Sequence, residues 1–298
     1  MASTTNDLPV YGNYHGYYNK RPPTNDRRLA LVPRGLFNGK RVLDVGCNEG
    51  IVTCEIAQTL GAKRVVGVDI DDTLVRAAWK HRRSVWSQQG PPTARMSAAH
   101  GTPEAHGEES AHPDRRKRRR ISHSDADEVD EGVYHDSAGP ADYFPASCEH
   151  MFGPLPILNV AAPGNIAEAF PHNVSFRTAD WVKSEIPEDA EGYDVVVAFS
   201  ISKWIHLNGG DEALLGFFRR VSDVLRAGGT FVLEPQEWET YAKAKRMDPR
   251  LKENAKNLKL RPDHFEDELR KLGFGPAQRL GTVGEGGFRR PIDLYTKR

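Results

Sequence analysis

The chain has 298 residues and a mass of 33.2 kDa, 38% hydrophobic and 28% charged, which allows one large domain or two small ones around a core that not every residue can share. Its 41 basic and 41 acidic residues cancel, which at face value argues against a nucleic-acid partner. No run of 18 or more apolar residues exists to span a membrane, the polar and aromatic start MASTTNDLPVYGNYHGYYNK lacks a secretory apolar region, and three scattered cysteines, Cys47, Cys54 and Cys148, point to a reducing compartment without a disulfide framework or zinc site.

The predicted elements alternate between strand and helix. RVLDVG (41–46) predicts a buried strand, followed by a glycine-containing loop and the helical pattern IVTCEIAQTLG. RVVGVDI (64–70) predicts a second strand and TLVRAAWKHRRSVW a second helix. Residues 88–170 break the rhythm: they hold nine of the 20 prolines, six of the 11 histidines, a basic block RRKRRR (115–120) and an acidic block DADEVDEG. With no period and little apolar content they read as a mostly disordered insertion, whose last part, MFGPLPILNVA, is apolar enough to dock on the surface. VSFRTADW (174–181) and YDVVVAFS (193–200) predict the third and fourth strands. DEALLGFFRRVSDVLRAGG predicts a long helix from Asp211, stopped at Gly228 and Gly229. TFVLEP (230–235) predicts a fifth strand, helices follow around 248–257 and 262–272, and AQRLGTV and PIDLYTK predict two closing strands. Seven strands alternating with helices indicate an α/β domain, a mainly parallel sheet with helices on both faces. That domain spans 41–298, interrupted at 88–170, with a Tyr/Arg-rich segment, 1–40, ahead of it.

The sharpest motif, Val42-Leu43-Asp44-Val45-Gly46-Cys47-Asn48-Glu49-Gly50, joins the first strand to the first helix. Glycine there lets the backbone turn tightly and approach a ligand. Dinucleotide enzymes use G-x-G-x-x-G to cradle a pyrophosphate at a helix N-terminus. Here the glycines stand at 46 and 50 only, Asn48 lies between them, and Asp44 precedes the loop. A carboxylate repels a diphosphate but favours an ammonium or sulfonium centre. The pattern therefore favours S-adenosylmethionine over NAD, in a Rossmann-like class I methyltransferase domain that needs no metal. Asp69, 19 residues after Gly50, is placed to accept both ribose hydroxyls. Asp180 is placed to accept from the adenine amino group, with Trp181 as a stacking wall. Cys47 in the loop, Ile70 after Asp69 and Ser200 at the end of the fourth strand complete the expected cofactor set. Asp71 and Asp72 read as helix caps, and Cys47 and Cys54 as core or loop filler without redox chemistry.

Six motifs, this loop among them, stand out along the chain: YGNYHGYYNKR (11–21), VLDVGCNEG (42–50), VVGVDID (65–71), SISKWIHLNGGDEAL (200–214), RAGGTFVLEPQEW (226–238) and GFRRPIDLY (287–295). On them, over 11–87 and 172–298, the chain resembles the bicoid-interacting-protein-3-type RNA methyltransferases, whose animal member is the methylphosphate capping enzyme of a small nuclear RNA. It departs from the animal members at Asp180-Trp181, where they often carry Asn-Tyr, and at Gly209, where they often carry a bulkier residue. The resemblance implies methyl transfer to an RNA 5′-terminal phosphate. In the best-known members the acceptor is the γ-phosphate of a primary transcript, and in a second branch a 5′-monophosphate.

A terminal phosphate is already anionic near pH 7. Such a reaction needs positioning and cations more than a strong base. Lys203 is the expected phosphate contact, His206 a hydrogen-bond partner of phosphate or hydroxyl, and Tyr14 the third member of the catalytic set. Trp204 and Gln236 are expected on the substrate side, with Arg289 and Arg290 adding phosphate contacts. Tyr17, Tyr18, Arg21, Arg27 and Arg28 supply the aromatics and cations that a single-stranded RNA end requires. Alternatively, Tyr14 and Tyr17 form an apolar stripe packing an N-terminal helix; both hold if the segment closes as a lid. RRKRRR reads either as a nuclear-localisation or RNA-tethering patch or as a charge block paired with its acidic neighbour. The expected partners are a small non-coding RNA 5′ end and RNA-binding proteins of the same ribonucleoprotein, with no membrane, around a monomeric, nuclear catalytic domain. Two other functions suit the same residues: a methyltransferase acting on a protein or small molecule, and a non-catalytic RNA-binding assembly factor.

The zero charge is itself a sum of opposites. Residues 88–170 carry seven basic and 13 acidic residues, so the remainder carries 34 and 28. Residues 1–41 alone have seven basic and two acidic residues. An acidic insertion set against a basic domain leaves room for RNA, with salt-sensitive binding.

Overall fold

The computed structural model describes residues 8–20, 26–89, 144–157, 168–284 and 289–298. Seven strands, β1 (Arg41–Val45), β2 (Arg64–Asp69), β3 (Val174–Thr178), β4 (Tyr193–Phe199), β5 (Leu225–Glu234), β6 (Gln278–Val283) and β7 (Arg290–Thr296), form one sheet in the order β3-β2-β1-β4-β5-β7-β6. The first five run parallel, and β7 is antiparallel to both β5 and β6. The helices are α1 (Arg27–Leu31), α2 (Ile51–Gln58), α3 (Asp72–Gln88), α4 (Ala146–Phe152), α5 (Ser202–Val224), α6 (Tyr241–Ala244), α7 (Pro249–Asn257) and α8 (Phe265–Lys271).

Side chains alternate along a strand, so a strand buried on both faces feeds two cores. β1 sends Val42 to one core, with Ile51, Ile56 and Val75 from α2 and α3, and Leu43 and Val45 to the other, with Leu214, Phe217 and Phe265 from α5 and α8. This is the doubly covered class I methyltransferase sheet expected from the sequence. The strand order reverses between β1 and β4, which opens a crevice beyond their carboxyl ends.

Residues 1–87 with 153–298 form one compact unit and 88–152 a second. Much of the segment read as a disordered insertion, 90–143 and 158–167, lies outside the described residues, and RRKRRR lies there with it. Ala146–Phe152, which the sequence reading left without structure, is a helix.

The long helix also differs. It starts at Ser202, nine residues before the predicted Asp211, because two helical pieces join across Gly210 (φ 72°, ψ −172°). The Gly-Gly pair that reads as a breaker in sequence makes a kink. Asn254 of α7 donates to the carbonyls of Leu207 (2.9 Å) and Asn208 (3.1 Å) beside it. At its other end α5 stops at Val224, before Gly228, because Leu225 already pairs with Tyr193 of β4. Lys203, Trp204 and His206 therefore stand on a helix and not on a loop.

Candidate functional site

A cavity of about 710 Å³ opens at the carboxyl ends of β1, β2, β4 and β5. Its cofactor-like wall is the loop after β1. Gly46 has φ 77°, and a Cβ there would sit 2.3 Å from the Ile201 Cγ2. Gly50 has φ 75°, and a Cβ would come within 2.8 Å of Phe176 and Ala78. Both positions need glycine for conformation and for space. Asn48 also adopts a positive φ (51°). Its backbone N–H donates to Asp69 Oδ2 (2.9 Å), and its Oδ1 accepts from the Glu49 N–H (2.9 Å).

Asp69 lies at the cavity wall at the end of β2. Burial raises its carboxyl above the ordinary range, and the N–H groups of Asp71 and Asn48 oppose that rise. Each oxygen takes one of those N–H groups, and a carboxylate has capacity for more. Ile70, Asp180 and Ser200 line the same cavity. Asp71 accepts from Thr73 N (2.9 Å) at the start of α3, the capping role expected of it.

Four members of the expected cofactor set stand differently. Asp44 does not line the cavity; it is buried and accepts a hydrogen bond from Thr53 Oγ1 of α2 (2.6 Å), bracing the loop from beneath. Burial pushes its carboxyl up to about 6. Cys47 and Gly50 are also off the cavity surface. The Cys47 thiol is pushed well above its usual range by burial, and Cys54 up to about 12, which suits packing. Trp181 borders the cavity but is 2% exposed, its indole N–H held by Asp189 and its ring under the Arg220 guanidinium at 4.5 Å. It is a packed wall, not an open stacking platform.

The segment before α1 forms the opposite wall, from Tyr11 to Tyr18. It is no helix: turns run to a single 3-10 turn at Tyr17–Lys20. Asn13 donates to Asp71 (2.8 Å), Gly16 N–H to Glu49 (3.3 Å), and Asn208 of α5 to the carbonyl of Val10 (2.8 Å). Gly12 (φ 78°) lies flat on Trp204, where a Cβ would be 2.2 Å from the indole. Gly12→Ala is expected to detach this wall, seen as faster proteolysis within residues 8–18 at an unchanged melting temperature. Tyr14 stacks edge-on to Trp204 at 5.8 Å, and its hydroxyl meets Met247 Sδ at 3.7 Å. Tyr17 reaches Ser200 Oγ at 3.4 Å, while Tyr18 is core.

The expected substrate groups divide into two sets. Lys203 and Arg290 both line the cavity. His206 does not: it is fully buried, with Nε2 on Asp211 (2.7 Å) and Nδ1 on the Tyr241 hydroxyl (3.2 Å). Burial lowers its pKa, opposed by Asp211. It braces α5 and is not a catalytic group. Gln236 reaches the cavity wall, yet its carboxamide is spent on the chain: Oε1 accepts from Ser202 Oγ and Lys203 N (both 3.0 Å), and Nε2 donates to the Ser200 carbonyl. It shapes the turn that presents Lys203. Trp204 lines the cavity but is covered by Gly12 and Tyr14.

Arg28 is 2% exposed, its guanidinium donating to Asp26 (2.9 and 2.6 Å) and Glu234 (3.1 Å) and lying 4.5 Å over Phe199. It also lines the cavity, but its guanidinium is committed to a buried tie between the N-terminal wall and β5. Arg27 and Arg289 are exposed and off the cavity, and Arg21 falls outside the described residues. Ser200, at φ 63°, joins these parts: its hydroxyl bonds Glu234 and Arg290 as well as Tyr17.

Sequence reasoning missed Lys243, Thr240 and Met247 on the cavity wall. They follow the EPQEW motif, Thr240 on a turn, Lys243 on a helix of four residues and Met247 just beyond it, elements too short to show a period. Among the described residues no group of His, Cys, Asp or Glu could hold a metal ion, and no helix is long and apolar enough to cross a membrane.

Comparison with known proteins agrees with this geometry. The family described as Bicoid-interacting protein 3 (Bin3) matches residues 193–297, and a methyltransferase domain family matches 42–105. The human 7SK snRNA methylphosphate capping enzyme is 35% identical over 301 residues, 96% of this chain and 39% of that protein. A protein of Arabidopsis thaliana named as a probable RNA methyltransferase is 30% identical over 295 residues, 96% of this chain and 79% of that protein. The chain thus spans about two-fifths of the 7SK capping enzymes it matches. Among solved structures, the N-methyltransferase NodS of Bradyrhizobium japonicum with S-adenosyl-L-homocysteine superposes with a TM-score of 0.51 at 11% identity, covering 98% of this chain and 93% of that one, which shows the shared fold. With 96% of this chain matched to a relative of which it covers 79%, and with the loop and strand-end residues in one cavity, the chain belongs to the Bicoid-interacting protein 3 family.

Proposed function

We propose that this chain transfers a methyl group from S-adenosylmethionine to the 5′-terminal phosphate of a small RNA. The observation that carries this reading is that Lys203, Lys243 and Arg290 line the same cavity as Gly46, Asn48 and Asp69. Converging cations beside a nucleoside-type cradle suit a phosphate acceptor better than a neutral one.

The cradle fits the cofactor, because its loop has room only for glycine at 46 and Asp69 keeps acceptor capacity for ribose hydroxyls. Gly46, Asn48, Asp69, Ile70 and Asp180 would hold it. When bound, S-adenosylmethionine supplies a methyl group on a positively charged sulfur. The chain's own part is positional. Lys203 and Arg290 hold and partly neutralise the phosphate, Tyr14 and Thr240 border it, and the Tyr11–Tyr18 wall limits water. No strong base is required, since the terminal phosphate is anionic at neutral pH.

The names of the capping relatives, which give methylphosphate capping of small nuclear RNAs, support a terminal-phosphate acceptor on such an RNA and a nuclear protein, and the γ-phosphate is what the family resemblance implies. The test is transfer of labelled methyl to a 5′-triphosphate RNA, followed by a pyrophosphatase that cuts the phosphoanhydride and releases the terminal phosphates. The label is expected to leave with them. Label retained on the RNA body would place the methyl on a base or ribose and overturn the reading.

A further inference from the structure

Residues 241–261 carry charge that the proposed reaction does not use: eight Lys or Arg against two acids, Asp248 and Glu253. Packing decides which of them face outward. α7 buries Leu251, and together with Ala255 and Leu258 it packs against Trp204 and Leu207 of α5. The opposite face is left to water, with Arg246, Arg250, Lys252 and Lys256 exposed. The two acids offset part of this charge and leave the stretch strongly basic. Asp248 caps α7 and meets Arg250 at 3.2 Å, and Glu253 meets Lys256 at 2.6 Å. Glu237 and Glu239 are exposed on the preceding turn. The basic stretch begins inside the cavity, since Lys243 and Met247 line it. Positive charge therefore runs along the chain from the proposed phosphate site to the outer face of α7.

We infer that the outer face of α6–α7 binds the ribose-phosphate backbone of the RNA beyond its methylated end. The inference rests on the proposed reaction, because it needs the RNA end in the cavity. Exposed lysines and arginines on a helix contact phosphates and fix register rather than read bases. The apolar residues of α7 are turned into the protein, so the face has nothing to insert into a bilayer, as an interfacial helix would require.

The test replaces Arg246, Lys252 and Lys256 with Gln in the full chain. Two RNAs are compared, a 5′-triphosphate dinucleotide and a 5′-triphosphate hairpin. Hairpin affinity, read by fluorescence anisotropy, is expected to fall about tenfold, and the slope of log affinity against log salt by about 2 to 3, roughly one per lost phosphate contact. Dinucleotide turnover and the melting temperature are expected to stay unchanged. Unchanged hairpin affinity and slope overturn the inference. So does dinucleotide turnover falling as far as hairpin affinity, because the residues would then act at the end site. Binding to phosphatidylserine vesicles that the triple variant loses also overturns it, by giving the face to a membrane. If the unaltered protein transfers no methyl to either RNA yet binds the hairpin through these residues, the proposed reaction fails and only the contact of this face with the RNA backbone stands.

Discussion

Lys203→Met is expected to lower kcat/KM for a 5′-triphosphate RNA by about 10²–10³-fold, the usual effect of removing one preorganised charge partner, with cofactor affinity unchanged. Lys203 is 7% exposed on the first turn of α5. Its N–H is held by Gln236, and its ammonium donates to Thr240 Oγ1 at 3.3 Å and lies 5.0 Å from the Trp204 ring centroid. Among the described residues no carboxylate forms an ion pair with it. Burial, then the charges of Arg290 and Lys243, push its pKa down to about 8. A phosphate relieves all three costs at once, so the charged form is favoured when the acceptor is bound. The sign of the pH dependence follows: below about 8 the free protein carries the charge, and above it the charge is lost. Since kcat/KM reports the free enzyme, it is expected to fall as pH rises through about 8, and Lys203→Met is expected to lose that limb. A variant that keeps the limb would assign it elsewhere. Loss of cofactor binding in the variant would mark Lys203 as structural.

Arg28→Met is expected to destabilise the fold by about 3–5 kcal/mol, the cost of removing one partner from a buried ion pair, which is a fall in melting temperature on the order of 10 °C. Burial opposes the charge on Arg28, and Glu234 with Asp26 more than restores it. Without the guanidinium, two carboxylates remain in the interior, Asp26 and Glu234, at 7% and 0% exposure. The tie also couples stability to the site, because Glu234 holds Ser200, and Ser200 meets Tyr17 and Arg290. Adding Glu234→Gln to Arg28→Met is expected to recover part of the loss by removing one stranded charge. A melting temperature within 2–3 °C of the unaltered protein, about 1 kcal/mol at this size, would show that the buried pair is not what holds the fold.

The contrast between these two residues shows how much of the site was legible in the chain. Lys203 and Arg28 are both cations near aromatic residues in motif-like segments, and the sequence reading sent both to the RNA. Lys203 enters the cavity because Gln236 fixes the backbone at the start of α5. Arg28 turns inward because two carboxylates wait there, one of them 206 residues away in sequence. His206 was misread for the same reason: its partners Tyr241 and Asp211 come together only after α5 packs against α6. Lys243 had no local pattern to reveal it.

The sequence alone determined the strand alternation, the glycine loop and the acids at the strand ends. These depend on short-range rules: β-branched runs bury, glycine takes positive φ, and strand and helix periods differ. What only the tertiary structure decided was the destination of each charged side chain. A cation is equally polar in sequence whether it meets water, a phosphate or a buried carboxylate. The choice is set by desolvation and by partners brought from distant segments. That is why Asp44, Arg28, His206 and Gln236 became bracing groups, two of them at the cavity wall, which Arg28 and Gln236 share with Lys203, Lys243 and Arg290.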